Sequence, residues 1–194
     1  MNRTPAFLLL AFATLFAGTQ ALAQTCPGGN PRVAPDSRYA RSEPVAGERV
    51  VIDTATGLVW KECVEGRSGA GCGDGWSAAM NWANALVAAS NSTWGGYDDW
   101  RLPNINELYS LVETGCQSPG INTSHFPDTS KNGIYWSSSS HAADASLARG
   151  VNFEFGLLNT LNKSANAEVR LVRGGQWLDA FDAVVLFADG FVGD

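Results

Sequence analysis

Four cysteines limit what this chain can fold into more than any other feature of its sequence. Cys26, Cys63, Cys72 and Cys116 form an even set, which in an exported protein is typical of two disulfides. Four cysteines can pair in three ways. Cys63 and Cys72 flank a glycine-rich stretch that their pairing would close, and Cys26 then pairs with Cys116 by exclusion. The rival interpretation is zinc, but zinc sites favour closely spaced cysteine pairs, whereas these spacings are 37, 9 and 44 residues.

The first 23 residues predict export. Arg3 is their only charge, an apolar run of 12 residues covers 6–17, and Ala21-Leu22-Ala23 is typical of a signal-peptide cleavage site. The run is shorter than the ~20 residues that a membrane-spanning helix needs. We therefore expect a secreted, periplasmic or cell-surface protein without a transmembrane segment after cleavage.

Charge and length narrow the partners that the mature chain could have. Without Arg3, 12 basic and 19 acidic side chains remain, a formal charge of −7. A net-negative surface repels phosphate backbones, so nucleic acid is not an expected partner. About 170 residues suit a single domain. The sequence contains no repeat and no collagen-like run, and we expect a monomer.

The pattern along the chain divides it into four parts. A signal peptide at 1–23 precedes an extended N-terminal segment at 24–48, a domain at 49–176 and an acidic tail at 177–194. The tail carries four Asp and no basic residue, and it fits a final strand with a frayed end as well as a sorting signal.

Hydrophobic periodicity predicts two helices between an N-terminal hairpin and a group of later strands. The hairpin joins 49–53 to 58–61, and the later strands cover 134–138, 148–155 and 168–173. In the strand predicted at 148–155, Val151, Phe153 and Phe155 alternate with polar residues, as in a half-buried strand.

The first helix is predicted from Ser77 to Ser90. Its apolar stripe consists of Ala79, Trp82, Ala83, Leu86 and Val87, and Trp76 is expected to anchor against the same core.

The second helix is predicted to begin after Asn104 and to end near Gly115. Asn104 is a natural N-cap, and Glu107 completes a capping-box pair with it. The buried face is expected to consist of Ile105, Leu108, Leu111 and Val112.

Four short sequence motifs in fixed order, here called phrases, resemble those of the Lcl C-terminal domain family, also called domain of unknown function 1566. They are Thr56-Gly57-Leu58-Val59-Trp60, the run from Gly95 through Trp100-Arg101-Leu102-Pro103 to Leu108, Tyr135-Trp136-Ser137-Ser138-Ser139, and Val169 to Gly175. The resemblance covers about residues 50–175. That family is similar to the C-type-lectin-like and formylglycine-generating-enzyme folds. The resemblance therefore implies an α+β fold in which two helices pack on short, mostly antiparallel strands, with many loops and disulfide staples.

The phrases also contain residues with an expected structural or electrostatic role. Trp100 and Trp136 are expected in the core. An Arg101 wedged between core residues is expected to pair with a nearby carboxylate, from Asp98, Asp99 or Glu107, rather than to bind an anion. Arg170 and Arg173 are better anion candidates, because we expect them on an exposed strand face.

The resemblance implies a binding module for adhesion to, or recognition of, an extracellular glycan or protein. The excess of acidic over basic side chains disfavours strong binding of polyanions. The candidate ligand-binding residues are polar positions in the loops expected between Ser137 and Glu168, namely Asn152, Glu154, Asn159 and Asn162.

Catalysis and cofactors receive little support from the sequence. The two histidines form no metal motif, no Gly-x-Ser-x-Gly surrounds the serines at 137–140, and no cysteine follows Cys116. An enzyme on a formylglycine-generating-type scaffold remains the alternative to the binding module, although its C-terminal redox cysteines are missing. No cofactor is expected, apart from the possibility of calcium at Asp98 and Asp99, without the sugar-binding triplets of lectins.

Overall fold

A computed structural model describes residues 26–27 and 31–174 of the chain. The predicted signal peptide at 1–23 and the acidic tail at 177–194 lie outside the described residues. No helix among the described residues is long and apolar enough to cross a membrane.

The described chain contains nine strands and two α-helices. They are β1 (Tyr39–Val45), β2 (Glu48–Asp53), β3 (Val59–Lys61), β4 (Arg67–Ser68), β5 (Asp74–Gly75), α1 (Trp82–Ser90), α2 (Ile105–Tyr109), β6 (Ile134–Ser140), β7 (Leu147–Asn152), β8 (Leu157–Asn162) and β9 (Val172–Arg173).

The strands form three antiparallel sheets. Their orders are β1-β2-β3-β9, β4-β5 and β6-β7-β8. A parallel bridge between Tyr135 and Glu168 connects β6 to the segment that leads into β9. The protein is therefore a mixed α/β fold with mostly antiparallel strands, two helices and two disulfides, which confirms the expected fold class at this level.

Two hydrophobic clusters form the core, and the two larger sheets contribute to both. Val51 and Trp60 lie in the first cluster, which α2 covers, whereas Val50 lies in the second, which α1 covers. The third sheet divides in the same way, with Tyr135 in the first cluster and Trp136 in the second. Neighbouring residues of a strand point to opposite faces, so both faces of each sheet are used.

The two tryptophans of the central phrases are buried as predicted. Trp100 is 3% exposed and Trp136 is fully buried. Their indole nitrogens donate to the main-chain oxygens of Trp94 and Met80, which satisfies the polar end of each ring.

The N-terminal segment is part of the sheet. β1 pairs with β2 from Tyr39 opposite Asp53 onwards, so the folded unit begins before residue 49. Cys26 is bonded to Cys116, which matches the predicted pairing. The sequence does not reveal β1 because only its first residue, Tyr39, is buried, and no apolar alternation results.

The first helix starts later than predicted. Asn81 caps it by accepting a hydrogen bond from the amide of Asn84, and Met80 forms a bridge with Ala167 that holds the preceding residues extended. This start shifts the buried face to Ala85 and Ala89. The predicted stripe is therefore wrong in part, since Val87 is 56% exposed and Ala79 and Ala83 are also exposed, whereas Trp82 and Leu86 are half-buried.

Trp76 does not anchor against the core, and that prediction is wrong. Its side chain is 85% exposed. The residue directly follows β5, whose two residues are both exposed and pair with β4 in a separate two-stranded sheet.

The second helix has the predicted N-terminus. The side chain of Asn104 accepts hydrogen bonds from the amides of Asn106 and Glu107, and the Glu107 side chain accepts from the Asn104 amide. The helix ends at Tyr109 rather than near Gly115, because a turn and the bridge between Val112 and Ile121 follow it. Leu111 and Val112 are nevertheless buried, as expected.

The region expected to consist of variable loops contains a further strand, β8. It pairs with β7 at six successive positions. β7 ends at Asn152 and a turn follows, so Phe155 lies outside the strand and is 57% exposed, contrary to the predicted alternation.

Candidate functional site

An open depression of about 340 Å³ lies where four segments meet. These segments are the start of β2, the end of β3, the loop closed by Cys63 and Cys72, and the turn after α1. The lining residues are Glu48, Lys61, Glu65, Gly66, Arg67, Ser68, Ser92, Thr93 and Trp94.

A fixed cation lies at one side of the depression. The ammonium of Lys61 donates to Glu65 at 2.9 Å and lies 4.2 Å from the centre of the Trp94 ring. The Trp94 indole nitrogen donates to the main-chain oxygen of Arg49 at 2.9 Å, which holds the ring in place. With only 4% of its side chain exposed, Lys61 is a preorganised group rather than a mobile surface lysine.

Arg67 and Glu48 supply further polar groups. Arg67 donates from one terminal nitrogen to the main-chain oxygen of Cys72 at 3.2 Å. Its Nε is buried and has no hydrogen-bond partner among the described residues. Glu48 accepts a hydrogen bond from the amide of Gly95 at 2.6 Å. Two carboxylates and two cations thus give the depression no net formal charge, in contrast to the acidic chain as a whole.

The disulfide between Cys63 and Cys72 shapes this surface. It closes the loop that carries Glu65 to Ser68, and both cysteines are fully buried. Its pairing matches the predicted one. A cross-linked short loop has little freedom to move, so the lining groups on it are held in place.

The main chain of the exposed Trp76 lies against one lining residue of the depression, Gly66. A Cβ at the lining residue Gly66 would lie 2.4 Å from the Trp76 carbonyl oxygen, and Gly66 has a φ of +87°. Only glycine fits there, and it allows the two segments to lie directly against each other.

The four polar residues predicted to bind a ligand do not share one surface. The β7–β8 register puts Asn152 and Asn159 on one face, whereas Asn162 lies on the other and Glu154 lies in the turn. The side-chain oxygen of Asn152 accepts from the Glu154 amide at 2.7 Å, and that of Asn162 accepts from the Ser164 amide at 3.0 Å. Ligand binding by these residues stays a prediction.

Arg101 and Arg173 form ion pairs. Arg101 makes two hydrogen bonds of 2.7 Å to Glu107, one of the predicted partners. Arg173 donates to Asp99 at 2.6 Å and lies 3.8 Å from the centre of the Tyr97 ring. Asp99 is thus engaged by a guanidinium, and calcium at Asp98 and Asp99 stays a prediction.

Arg170 does not lie on an exposed face, and that expectation is wrong. It is fully buried, with hydrogen bonds to Asp128 at 3.0 Å and to Thr129 at 3.1 Å. Its neighbours Val169 and Leu171 belong to the second cluster, while Arg170 faces the first cluster, 4.9 Å from the Phe126 ring centre. Both faces of this segment are buried because it runs between the two larger sheets.

The serines at 137–140 take part in the fold. The hydroxyls of Ser137 and Ser138 donate to main-chain oxygens, that of Ser139 accepts from the Ile105 amide, and that of Ser140 accepts from Lys163.

The fold also determines the environment of His125 and of one group of possible metal ligands. Burial, and then the charge of Arg41, lower the pKa of His125. Glu62, Cys63 and Cys72 lie within 4.8 Å of one another, but the cysteines are disulfide-bonded and offer no thiolate.

The depression could not be recognised from local sequence. Its lining comes from four segments that only the sheet pairing and the disulfide bring together. The available signal was the glycine-rich loop between Cys63 and Cys72, which the sequence identifies as a constrained surface loop.

Comparison with known proteins gives one result. The family model described as Lcl C-terminal domain matches residues 49–173, more than half of the chain. This range contains every lining residue of the depression except Glu48. No curated protein matches the chain.

Proposed function

Because the chain belongs to the Lcl C-terminal domain family, we propose that it is an exported, non-catalytic binding module that recognises an uncharged glycan at the depression beside Trp94. A C-type-lectin-like topology, which the family resemblance implies, is part of the same proposal. Two helices packed on mostly antiparallel strands are compatible with that topology.

One observation carries the proposal: the lining offers fixed donors and acceptors without net charge. Sugar hydroxyls both donate and accept hydrogen bonds. Carboxylates such as Glu48 and Glu65 accept, and the guanidinium of Arg67 donates.

The exposed aromatic ring of Trp76 supports the same class of ligand. A sugar ring has an apolar C–H face, and an indole offers a large flat surface against which that face can pack. A tryptophan that is 85% exposed gains more from such a contact than from water.

The test is capture of the mature chain on an array of neutral and sulfated glycans. We expect Arg67→Met to reduce capture of a neutral glycan by about tenfold or more, because the ligand loses a charged hydrogen-bond donor while the side-chain stem is kept. Arg149→Met, at an exposed position on β7, is the matched control and should bind as wild type does.

A second variant separates the depression from the positions predicted from sequence. Alanine at Asn152, Glu154, Asn159 and Asn162 together should leave capture unchanged if the depression is the site. Capture that survives Arg67→Met but is lost in this fourfold variant would overturn the location of the site. Saturable turnover of a bound glycan would overturn the binding-module proposal.

A further inference from the structure

The outer edge of β8 carries main-chain groups without partners. The Trp136 amide donates to Glu168, and the Glu168 amide donates to Ile134, so Ile134 and Trp136 direct their main-chain groups away from β7. The main-chain N–H and C=O groups of successive residues in a strand point to alternate sides. Those of Tyr135 therefore form hydrogen bonds with its partner Val151 on β7.

The same alternation carries over to β8. Since the main-chain groups of Val151 point to β6, those of the alternate residues Ala148, Gly150 and Asn152 point to β8. They bond to Leu161, Asn159 and Leu157, respectively. Leu158 and Thr160 consequently direct their N–H and C=O groups outwards. Neither has a main-chain partner on that side within the described part of the chain.

β8 lacks the features that usually protect an edge strand. Its residues are Leu-Leu-Asn-Thr-Leu-Asn, without a charge or a proline, and its pairing with β7 has no register shift. Leu157 and Leu158 are each 56% exposed, and Phe155 beside them is 57% exposed.

The edge strand of the four-stranded sheet differs from β8 in charge, in proline content and in the regularity of its pairing. β1 is the edge of the four-stranded sheet, and it contains Arg41, Glu43 and Pro44. Its pairing with β2 shifts in register between Ser42 and Val45. Charge, proline and a bulge are the usual means of preventing edge-to-edge pairing, and β8 has none of them.

We propose that β8 pairs antiparallel with β8 of a second copy, joining two three-stranded sheets into one of six strands. Charge at the two ends of the strand favours this occupant and this direction. Glu154 precedes β8 and Lys163 follows it. The Lys163 ammonium donates to the Ser140 hydroxyl and lies over the Trp82 ring, and it has no carboxylate partner among the described residues. Antiparallel pairing brings each Glu154 towards the Lys163 of the other copy, whereas parallel pairing would bring like charges together.

The symmetry of this contact suits a homodimer. Two copies related by a twofold axis present the same surface to each other, and the outward groups of Leu158 and Thr160 supply donors and acceptors in equal number. This dimer differs from the monomer expected from the sequence and does not depend on the proposed glycan site.

Sedimentation of the mature chain over a range of concentrations tests the proposal. We expect a reversible dimer that Thr160→Pro weakens by about tenfold or more, because proline removes an outward donor without disturbing the bonds to β7. Leu158→Lys should act in the same direction by adding edge charge. Ser42→Lys, on the protected edge, is the control and should dimerise as wild type does. Melting curves verify that each variant folds.

Hydrogen exchange distinguishes the possible occupants. In the proposed dimer, the amides of Leu158 and Thr160 become protected as the concentration rises. Protection of these amides in a chain that stays monomeric would mean that the chain's own residues 175–194 cover the edge, and the proposal fails. A monomer with both amides unprotected, or a dimer that neither β8 variant weakens, would overturn it as well.

Discussion

Three arginines of the N-terminal segment each neutralise a fully buried carboxylate. The pairs are Arg32 with Glu113 at 3.2 Å, Arg38 with Asp53 at 2.5 Å and Arg41 with Glu62 at 2.6 Å. An unpaired buried charge costs far more than a paired one. These contacts, together with the bond between Cys26 and Cys116, fasten the segment that precedes the family match to the rest of the fold.

We expect Arg38→Met to destabilise the protein by about 3 kcal/mol, since Asp53 would stay buried with its charge no longer paired. The Arg38 side chain is only 13% exposed, so solvent screens this pair little. Arg49→Met breaks the solvent-exposed pair with Glu43 and should cost much less, because solvent screens that pair. Urea unfolding of both variants measures the difference, and equal losses would contradict the importance given to the buried pair.

Stability should fall in acid. Burial pulls the pKa of Asp53 and Glu113 upwards, but hydrogen bonds to Asp53 from Arg38 and to Glu113 from the amides of Gly115, Val33 and Ala34 outweigh it, and both pKa values lie below their usual range. The unfolded chain binds protons more readily, so the stabilisation is complete above about pH 5 and is lost as the pH falls through about 4 and below.

Urea midpoints between pH 7 and pH 3 measure this effect. Asp53→Asn should flatten the pH dependence relative to wild type, because it removes one of the buried carboxylates whose pKa is lowered. A wild-type stability that stays constant down to pH 3 would contradict the prediction.

At the scale of elements, the sequence predicts what local contacts decide and misses what distant ones decide. The capping box at Asn104 was predicted because its atoms lie within four residues. The start of α1 at Trp82 was not, because the bridge from Met80 to Ala167 keeps the preceding residues extended. β8 escaped prediction because it is an edge strand whose alternation of buried and exposed residues is weak.

The cap of α2 gives a prediction at this scale. Asn104→Ala should destabilise the protein by about 1 kcal/mol, since two helix amides lose their side-chain acceptor. The Glu107 carboxylate is then left with only its own half of the capping box. Asn106→Ala, at an exposed position within the same helix, should change stability by less than about 0.5 kcal/mol. Thermal unfolding of the two variants checks the cap, and equal melting temperatures would count against it.

At the scale of the whole molecule, the two larger sheets and the two helices enclose two clusters that meet at the segment leading into β9. Cysteine count, family phrases and tryptophan positions were enough to predict the disulfide pairing, a mixed α/β fold with mostly antiparallel strands, and the burial of Trp100 and Trp136. The depression was not predictable, because Glu48, Arg67 and Trp94 are distant in sequence and no local pattern connects them.

Trp136 lies in the second of these clusters. Trp136→Ala should cost about 3–5 kcal/mol, because a fully buried ring leaves a cavity and the Met80 main-chain oxygen loses one of its two donors. Trp76→Ala, at the most exposed tryptophan among the described residues, should leave the melting temperature nearly unchanged. A wild-type-like melting curve for Trp136→Ala would contradict the placement of this ring in the core.

The most direct test of the binding-module account is to follow the indole N–H signals of the mature protein by NMR during titration with the best-captured neutral glycan. If the depression is the site, the signals of Trp76 and Trp94 shift saturably, whereas that of the buried Trp136 does not move. The Arg67→Met protein should show much weaker shifts at the same glycan concentration, and the Arg149→Met protein should match wild type. Saturable shifts that spare Trp76 and Trp94, or that persist unchanged in Arg67→Met, would contradict the account.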